Sequence, residues 1–247
     1  MESIIQNGIP IYHQLKEIFI EKIENGEWMP GKTIPNELLL CQQYGVSRGP
    51  VRQALDQLVR EGQLKRKQGR GTIVLPPKVE SGLSDFSSFT SLIQKRGMKP
   101  SGLMLEFSVI GAQGSVAQSL KINIGEPCYK IRRLRLANNE PLVLETVYVP
   151  QKIAPNLTES SITSQSLYEI LSSVYATTPQ RAKQFFEPAI ADEYEAKELA
   201  ISKGAPVLLI QNTTFDAQDC PLVFSKAIMR GDKVRYFVEL STQINIL

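Results

Sequence analysis

Apolar residues in the first quarter of the chain recur at the three- and four-residue spacing of amphipathic helices. Residues 10–25 form the first such segment. Asn36 is a favoured capping residue, and it begins a second predicted helix that reaches about Tyr44. Ser47 caps a third predicted helix that reaches about Glu61. The apolar face of this third helix consists of Val51, Ala54, Leu55, Leu58 and Val59.

Two short extended segments, residues 64–67 and 72–75, flank the glycine-rich sequence 68–71 and predict a β-hairpin. Helix, short helix, tight turn, helix and hairpin are the elements of a winged helix–turn–helix in their usual order. The turn lies at residues 45–47 (Gly-Val-Ser), where the glycine permits a sharp chain reversal and the serine caps the next helix. The first part of the chain is therefore predicted to bind DNA, with its third helix in the major groove.

Positive charge is concentrated in the same region. Residues 48–70 carry seven lysine and arginine side chains against only Asp56 and Glu61, a net charge of +5, whereas the whole chain has a net charge of +3. Arg48 and Arg52 lie one turn apart near the start of the third helix, away from its apolar face. A local cationic stripe on a nearly neutral chain favours a polyanionic partner. The alternative is a small helical domain with a solvated basic surface.

The pattern changes after residues 76–82, which have the composition of an extended linker. The helices predicted beyond it cover residues 86–96, 166–174 and 192–201. The predicted strands cover residues 103–110, 128–136, 142–149, 207–215, 222–229 and 234–244, with a hairpin turn at 137–140. The predicted fold class is α+β. Residues 1–75 form a winged helix–turn–helix domain, and residues 83–247 form a second domain with a largely antiparallel sheet.

Composition argues against several functional classes. The length of 247 residues suggests two domains. No run approaches the roughly 18 apolar residues of a membrane span, and the N-terminus lacks the pattern of a secretory signal, so we expect neither membrane insertion nor secretion. Three separated cysteines and the single histidine, His13, offer no metal site by spacing and fit a reducing cytoplasm. We expect no metal, no cofactor and no catalytic residue.

Three motifs of the first domain carry a specific resemblance. They are residues 10–15 (PIYHQL) with 30–37 (PGKTIPNE), residues 46–55 (VSRGPVRQAL) and residues 66–72 (RKQGRGT). In this order and spacing they resemble the DNA-binding domain of GntR-family bacterial regulators. The resemblance implies that Arg48 and Arg52 contact DNA bases or phosphates and that Gly69 and Arg70 enter the minor groove. The full implied DNA-binding set is Glu37, Ser47, Arg48, Pro50, Arg52, Gln68, Gly69, Arg70, Gly71 and Thr72.

The second domain contains short sequence motifs, spread over residues 83–241, that are individually less specific than those of the first domain. They are Phe89-Thr90, Arg133-Leu134-Arg135, Glu145, Ser166-Leu167-Tyr168, Pro221, Ser225, Arg230-Gly231-Asp232 and Tyr236. Together they resemble the HutC-type effector domain, UTRA, which shares its fold with chorismate lyase. The resemblance implies a pocket for an anionic effector, formed by Phe89, Thr90, Arg133, Arg135, Glu145, Ser166, Tyr168 and Tyr236.

Strand parity is compatible with an anion site. Arg133 and Arg135 project from one face of the predicted sheet, where like charges repel unless they are solvated or share an anion. Hydroxyl groups of Thr90 and Ser166 would complete a phosphate or carboxylate cradle. The alternative is that both arginines are merely solvated. Glu145 either accepts hydrogen bonds from ligand hydroxyl groups or pairs with an arginine.

Several positions leave alternatives open or depart from the resemblance. Leu38 stands where the GntR family usually has an arginine or similar polar residue, so one DNA contact is lost. Glu37 is either a DNA contact or a carboxylate favoured by the helix dipole. Val223 replaces a glutamate that amino-sugar-responsive relatives tend to carry, which argues against an N-acetylglucosamine-type effector. Tyr168 and Tyr236 are either core aromatics or ligand contacts.

The sequence therefore predicts a cytoplasmic, homodimeric transcriptional regulator, expected to be a repressor. It binds a double-stranded DNA operator and responds to a small anionic metabolite, a sugar phosphate or a carboxylate, with residues 76–82 as the relay between domains. One alternative is a chorismate-lyase-like enzyme tethered to a DNA-binding domain, for which only Glu145 is available as an acid or base. The other is a constitutive DNA-binding protein with a purely structural second domain.

Overall fold

A computed structural model describes residues 8–82 and 88–239. The chain divides into two compact units. In the described ranges, the first unit comprises residues 8–78 and 231–233, and the second comprises the remainder from residue 79 onward. Within the described ranges, no helix is both long enough and apolar enough to cross a membrane.

The first unit contains the elements that the sequence predicts. They are α1 (Ile11–Glu24), α2 (Glu37–Tyr44), α3 (Arg48–Arg60), β1 (Leu64–Lys67) and β2 (Gly71–Val74). The Asn36 side chain accepts a hydrogen bond from the Leu39 backbone N–H at 2.9 Å, and Gly45 ends α2 in the left-handed conformation with φ 65°. Ser47 occupies the N-cap position of α3 as predicted, but its hydroxyl makes no capping hydrogen bond, so the prediction of a side-chain cap is wrong.

An aromatic cluster organises the core of the first unit. The Phe19 ring lies 5.1 Å from the Trp28 ring and 5.8 Å from the Tyr44 ring, measured between centroids. Val51, Ala54, Leu55 and Leu58 of α3 are buried in the same core. This packing uses one face of α3 and leaves its opposite face at the surface.

The second unit is built on six strands: β4 (Pro100–Gly111), β5 (Pro127–Ala137), β6 (Glu140–Pro150), β7 (Arg181–Ile190), β8 (Pro206–Phe215) and β9 (Pro221–Arg230). They form one antiparallel sheet in the order β4-β5-β6-β9-β8-β7. Asn138 and Asn139 connect β5 to β6, both with positive φ (49° and 64°), as a tight hairpin turn requires. The prediction of an α+β fold with a largely antiparallel sheet is confirmed.

Five helices accompany this sheet: α4 (Phe89–Lys95), α5 (Gly114–Leu120), α6 (Glu159–Ser164), α7 (Leu167–Ser173) and α8 (Glu193–Glu198). The helix predicted over residues 86–96 corresponds to α4, and its first two residues lie outside the described ranges. The sequence did not predict α5, α6 or β7. The two helices are short, and β7 is an edge strand that contains Pro188, so their local patterns are weak.

The interpretation of residues 76–82 as a continuous linker is wrong for its second half. Residues 79–82 form strand β3 (Val79–Gly82), which pairs in parallel with β10 (Val234–Phe237). In this pairing Ser81 lies opposite Tyr236, and Glu80 forms an ion pair with Arg235. The pairing joins residues about 155 positions apart, which local composition does not reveal. The predicted strand over residues 234–244 is shorter in the structure, and residues 240–244 lie outside the described ranges.

Candidate functional site

A cavity of about 170 Å³ lies on one face of the six-stranded sheet in the second unit. Its floor includes a row of cross-strand neighbours in which Arg133 of β5 pairs with Glu145 of β6, and Glu145 pairs with Ala227 of β9. The remaining wall comes from α4, α7, β3 and β10. Of the predicted effector residues, the cavity is lined by Phe89, Arg133, Arg135, Glu145, Ser166, Tyr168 and Tyr236.

Three charged side chains meet at this floor. Glu145 Oε1 lies 2.6 Å from Arg133 Nη2 and 3.5 Å from Arg135 Nη1. The side chains of Arg133, Arg135 and Glu145 are only 9%, 13% and 16% exposed. The arginines are therefore not solvated, which excludes that alternative. Two cations face one carboxylate here, so the cluster itself carries a surplus positive charge in a partly desolvated place.

Arg135 is held from two further sides. Its Nη2 donates a hydrogen bond to Thr90 Oγ1 at 2.9 Å, and its guanidinium carbon lies 4.8 Å from the centroid of the Phe89 ring. Burial lowers the pKa of Arg135; the Glu145 carboxylate opposes this decrease, and the positive charge of Arg133 adds to it. Thr90 thus reaches the site through Arg135 rather than by lining the cavity.

Each of the two arginines keeps an unused donor. Among the residues that the structure describes, neither Arg133 Nε nor Arg135 Nε has a hydrogen-bond partner, although both atoms are buried. Buried donors in proteins are normally paired. The arrangement can therefore offer fixed N–H groups and positive charge to an anion that enters the cavity.

The two predicted tyrosines have different surroundings. The Tyr168 hydroxyl lies 2.9 Å from Thr214 Oγ1, and burial raises the pKa of Tyr168. The Tyr236 ring meets the Phe186 ring edge to face at 4.9 Å, and burial raises the pKa of Tyr236 to about 12. Both phenols are therefore neutral at physiological pH, and both side chains form part of the cavity wall. Ser166 is also buried at the cavity, directly before α7.

Sequence reasoning missed a polar row beside the charged cluster. Gln184 of β7, Asn212 of β8 and Ser225 of β9 are successive cross-strand neighbours that line the cavity. Ser225 could have been placed from its strand parity, since it lies two residues from Val223, which also lines the cavity. The position of Gln184 depends on β7, a strand that was not predicted, and the sequence held no comparable signal for Asn212.

The first unit presents a separate basic surface on α3. Arg48 and Arg52 are exposed, and no described carboxylate forms an ion pair with either of them. Arg66 differs, because its Nη2 lies 2.9 Å from Asp56 Oδ1 and 3.3 Å from Glu37 Oε1. Glu37, a predicted DNA contact, is therefore engaged with the wing strand β1, a third role beyond the two that sequence reasoning weighed.

The wing tip, residues 68–71 at the turn from β1 to β2, has a backbone conformation that would allow it to approach a DNA groove closely. Gly69 and Gly71 adopt positive φ values of 73° and 83°, and Gln68 and Arg70 beside them are exposed. Thr72 is held in the sheet, where its carbonyl accepts a hydrogen bond from the Ile34 N–H at 2.9 Å. Two further predicted residues, Ser47 (exposed) and Pro50 (half-buried), lie at the start of α3.

The sequences of both units match known protein families. The sequence model for bacterial regulatory proteins of the gntR family matches residues 11–74, and that for the UTRA domain matches residues 95–235. The chain is 39% identical to the HTH-type transcriptional repressor NagR of Bacillus subtilis, over 96% of this chain and 98% of that protein. It is 30% identical to the histidine utilization repressor of Pseudomonas putida, over 92% of this chain and 90% of that one.

Solved structures show the same architecture. The fold is similar to that of PhnF from Mycobacterium smegmatis, with a TM-score of 0.65 and 25% identity, over 95% of this chain and all of that one. It also resembles the structure of YydK from Bacillus subtilis, with a TM-score of 0.59 and 20% identity, over 94% and 100% of the two chains. The second likeness concerns the fold alone.

Replacing Glu145 by glutamine should destabilise the protein by about 3 kcal/mol, because two buried guanidinium groups lose their counter-charge. Inorganic phosphate should restore more stability to this variant than to the wild type, since an anion can replace the missing carboxylate. Thermal unfolding at constant ionic strength, with and without phosphate, measures both effects.

The matched control for this experiment is Glu193→Gln. It removes an exposed carboxylate that lies 3.2 Å from Lys203, and it should leave the unfolding temperature unchanged. A Glu145→Gln variant as stable as the wild type would show that the cluster carries no unbalanced charge.

Proposed function

Since this chain belongs to the GntR family of bacterial regulatory proteins, as a repressor of the GntR/HutC type with a UTRA domain, we propose that a small anionic metabolite bound in its cavity controls operator binding. The relatives reported above are transcriptional repressors, and the protein is a regulator rather than an enzyme. A chorismate-lyase-like catalyst is thereby excluded. We place the protein in the cytoplasm, where its operator DNA is.

The observation that carries this proposal is the cluster of Arg133, Arg135 and Glu145. A buried surplus of positive charge is unfavourable unless an anion balances it, and the unpartnered Nε–H groups supply donors for one. The cavity of about 170 Å³ is smaller than typical drug-sized pockets, so it suits a small metabolite such as a sugar phosphate or a carboxylate. An open cavity also disfavours the constitutive alternative, in which side chains would fill it.

DNA recognition is proposed to use the exposed surface of the first unit. Arg48 and Arg52, at the N-terminal end of α3, would contact base edges or phosphates in the major groove. Gly69 and Arg70 at the wing tip would enter the minor groove. Two copies of the chain, joined as a homodimer, would bind the two halves of a roughly palindromic operator.

Coupling between metabolite binding and operator binding requires that the metabolite bind one of two conformational states of the protein more tightly than the other. Strand β3 is a suitable relay. It supplies Ser81 and Gly82 to the cavity wall, and it follows residues 75–78 directly in the chain. A ligand that restrains β3 would act on the connection to the first unit and so change the spacing of the two wings in the dimer.

Arg52→Ala should weaken operator binding about tenfold or more, because one guanidinium group loses its base or phosphate contact. The measurement uses a duplex selected by the wild-type protein from random sequences and compares affinities over a range of salt concentrations. Lys203→Ala, which removes an exposed cation from the second unit, is the control and should bind normally. Unchanged affinity in Arg52→Ala would exclude α3 as the recognition helix.

The Arg135→Met variant should bind the operator normally but should no longer release it when the effector is added. We expect the effector to be found by a thermal-shift screen of sugar phosphates and small carboxylates, and release is then measured by fluorescence anisotropy of the labelled operator. Arg132→Met is the matched control, since Arg132 is adjacent on β5 but faces the opposite side of the sheet, near Glu106. Release of the Arg135→Met variant at the wild-type ligand concentration would contradict the proposed site.

A further inference from the structure

Asn212 lies across the cavity from the arginine cluster. It belongs to β8, whereas Arg133 belongs to β5, and β6 and β9 lie between these two strands. At about 4.8 Å per strand, the two backbones are roughly 14 Å apart. Asn212 is only 8% exposed and lines the cavity together with its cross-strand neighbours Gln184 and Ser225.

Two hydroxyl groups fix the orientation of the Asn212 carboxamide. Its Nδ2 donates to Thr214 Oγ1 at 3.1 Å and to the Tyr168 hydroxyl at 3.4 Å. These two hydroxyl oxygens are themselves 2.9 Å apart. The amide nitrogen thus faces these two hydroxyl groups, which directs the oxygen of the carboxamide away from them.

The oxygen of the same carboxamide is a buried acceptor. In the described part of the chain, no donor forms a hydrogen bond with Asn212 Oδ1. Leaving such an acceptor unpaired is unfavourable, and buried polar atoms without partners are rare in proteins. Because Asn212 lines the cavity, a bound molecule can supply the missing donor.

We propose that Asn212 is a specificity-determining residue of the cavity. Its Oδ1 accepts a hydrogen bond from a hydroxyl or N–H group of the ligand whose anionic group is held by Arg133 and Arg135. This inference rests on the proposed function and narrows the ligand class. The ligand carries an anion at one end and a neutral hydrogen-bond donor at the other, as in a phosphorylated sugar or polyol. Inorganic phosphate or a simple alkyl carboxylate satisfies only the arginine end.

The test is calorimetric titration of the full-length protein with defined probes. The probes are inorganic phosphate, the 6-phosphates of glucose, mannose and fructose, and analogues of the tightest-binding sugar phosphate that each lack one hydroxyl group. The wild type should bind that sugar phosphate at least tenfold more tightly than inorganic phosphate. One deoxy analogue should bind roughly tenfold more weakly than its parent, because it cannot donate to Asn212.

Three variants assign that loss to Asn212. Asn212→Leu should bind the parent and the critical deoxy analogue equally, since no acceptor remains. Asn212→Asp keeps an acceptor oxygen and should preserve the difference. Gln211→Leu is the matched control, because Gln211 is adjacent on β8 but on the opposite face, near Glu187, and it should also preserve the difference. Thermal unfolding without ligand checks that each variant is folded.

The outcomes separate this inference from the proposed function. In one outcome, Asn212→Leu discriminates between parent and analogue as the wild type does, while Arg135→Met loses binding. This result would support the proposed anion site and would show that the proposed role of Asn212 is wrong. If no deoxy analogue binds the wild type more than twofold more weakly than its parent, the inference fails without any variant being needed. If the wild type binds none of the sugar phosphates, the inference fails together with the sugar-phosphate form of the proposed function.

Discussion

Burial of two guanidinium groups against a single carboxylate is the constraint that determines the chemistry of the cavity in the second unit. A buried ion pair contributes little to stability because desolvation offsets the attraction, and an unbalanced cation makes the balance worse. The register of one hairpin imposes this arrangement. Arg133 lies opposite Glu145 across β5 and β6, and this pairing is set by the turn at Asn138 and Asn139 together with a register shift between Arg135 and Leu136. We propose that a site of this kind, which costs stability yet lies within the sheet, serves ligand binding.

The first unit meets a complementary requirement, since it has to keep its cations free of the protein's own carboxylates. The packing of α3 against the Phe19, Trp28 and Tyr44 cluster leaves Arg48 and Arg52 exposed. Arg66 is the exception, because it pairs with carboxylates of α2 and α3. Not every basic residue of the cationic stripe is therefore equally available to DNA, and Arg66 is better placed to hold the wing against the helices.

Features governed by local chemistry could be predicted from the sequence, and features governed by distant pairing could not. The bounds of α2 followed from the cap at Asn36 and the left-handed Gly45, and the shared face of Arg133 and Arg135 followed from strand parity. The strand β3 was missed because its partner β10 is far away in the chain. The same holds for Glu37, whose ion pair with Arg66 spans 29 positions. Asn212 could not be identified because its significance depends on which atom of its amide is already bonded.

The most direct test of the central claim observes the arginine Nε–H groups themselves. Correlation spectra of the ¹⁵N-labelled protein would be recorded while inorganic phosphate is added at constant ionic strength, with the two resonances assigned through Arg133→Lys and Arg135→Lys variants. The buried Nε–H resonances of Arg133 and Arg135 should shift and reach saturation as the anion occupies the cavity. Resonances of Arg133 and Arg135 that stay unchanged, while those of exposed arginines drift without saturation, would contradict it.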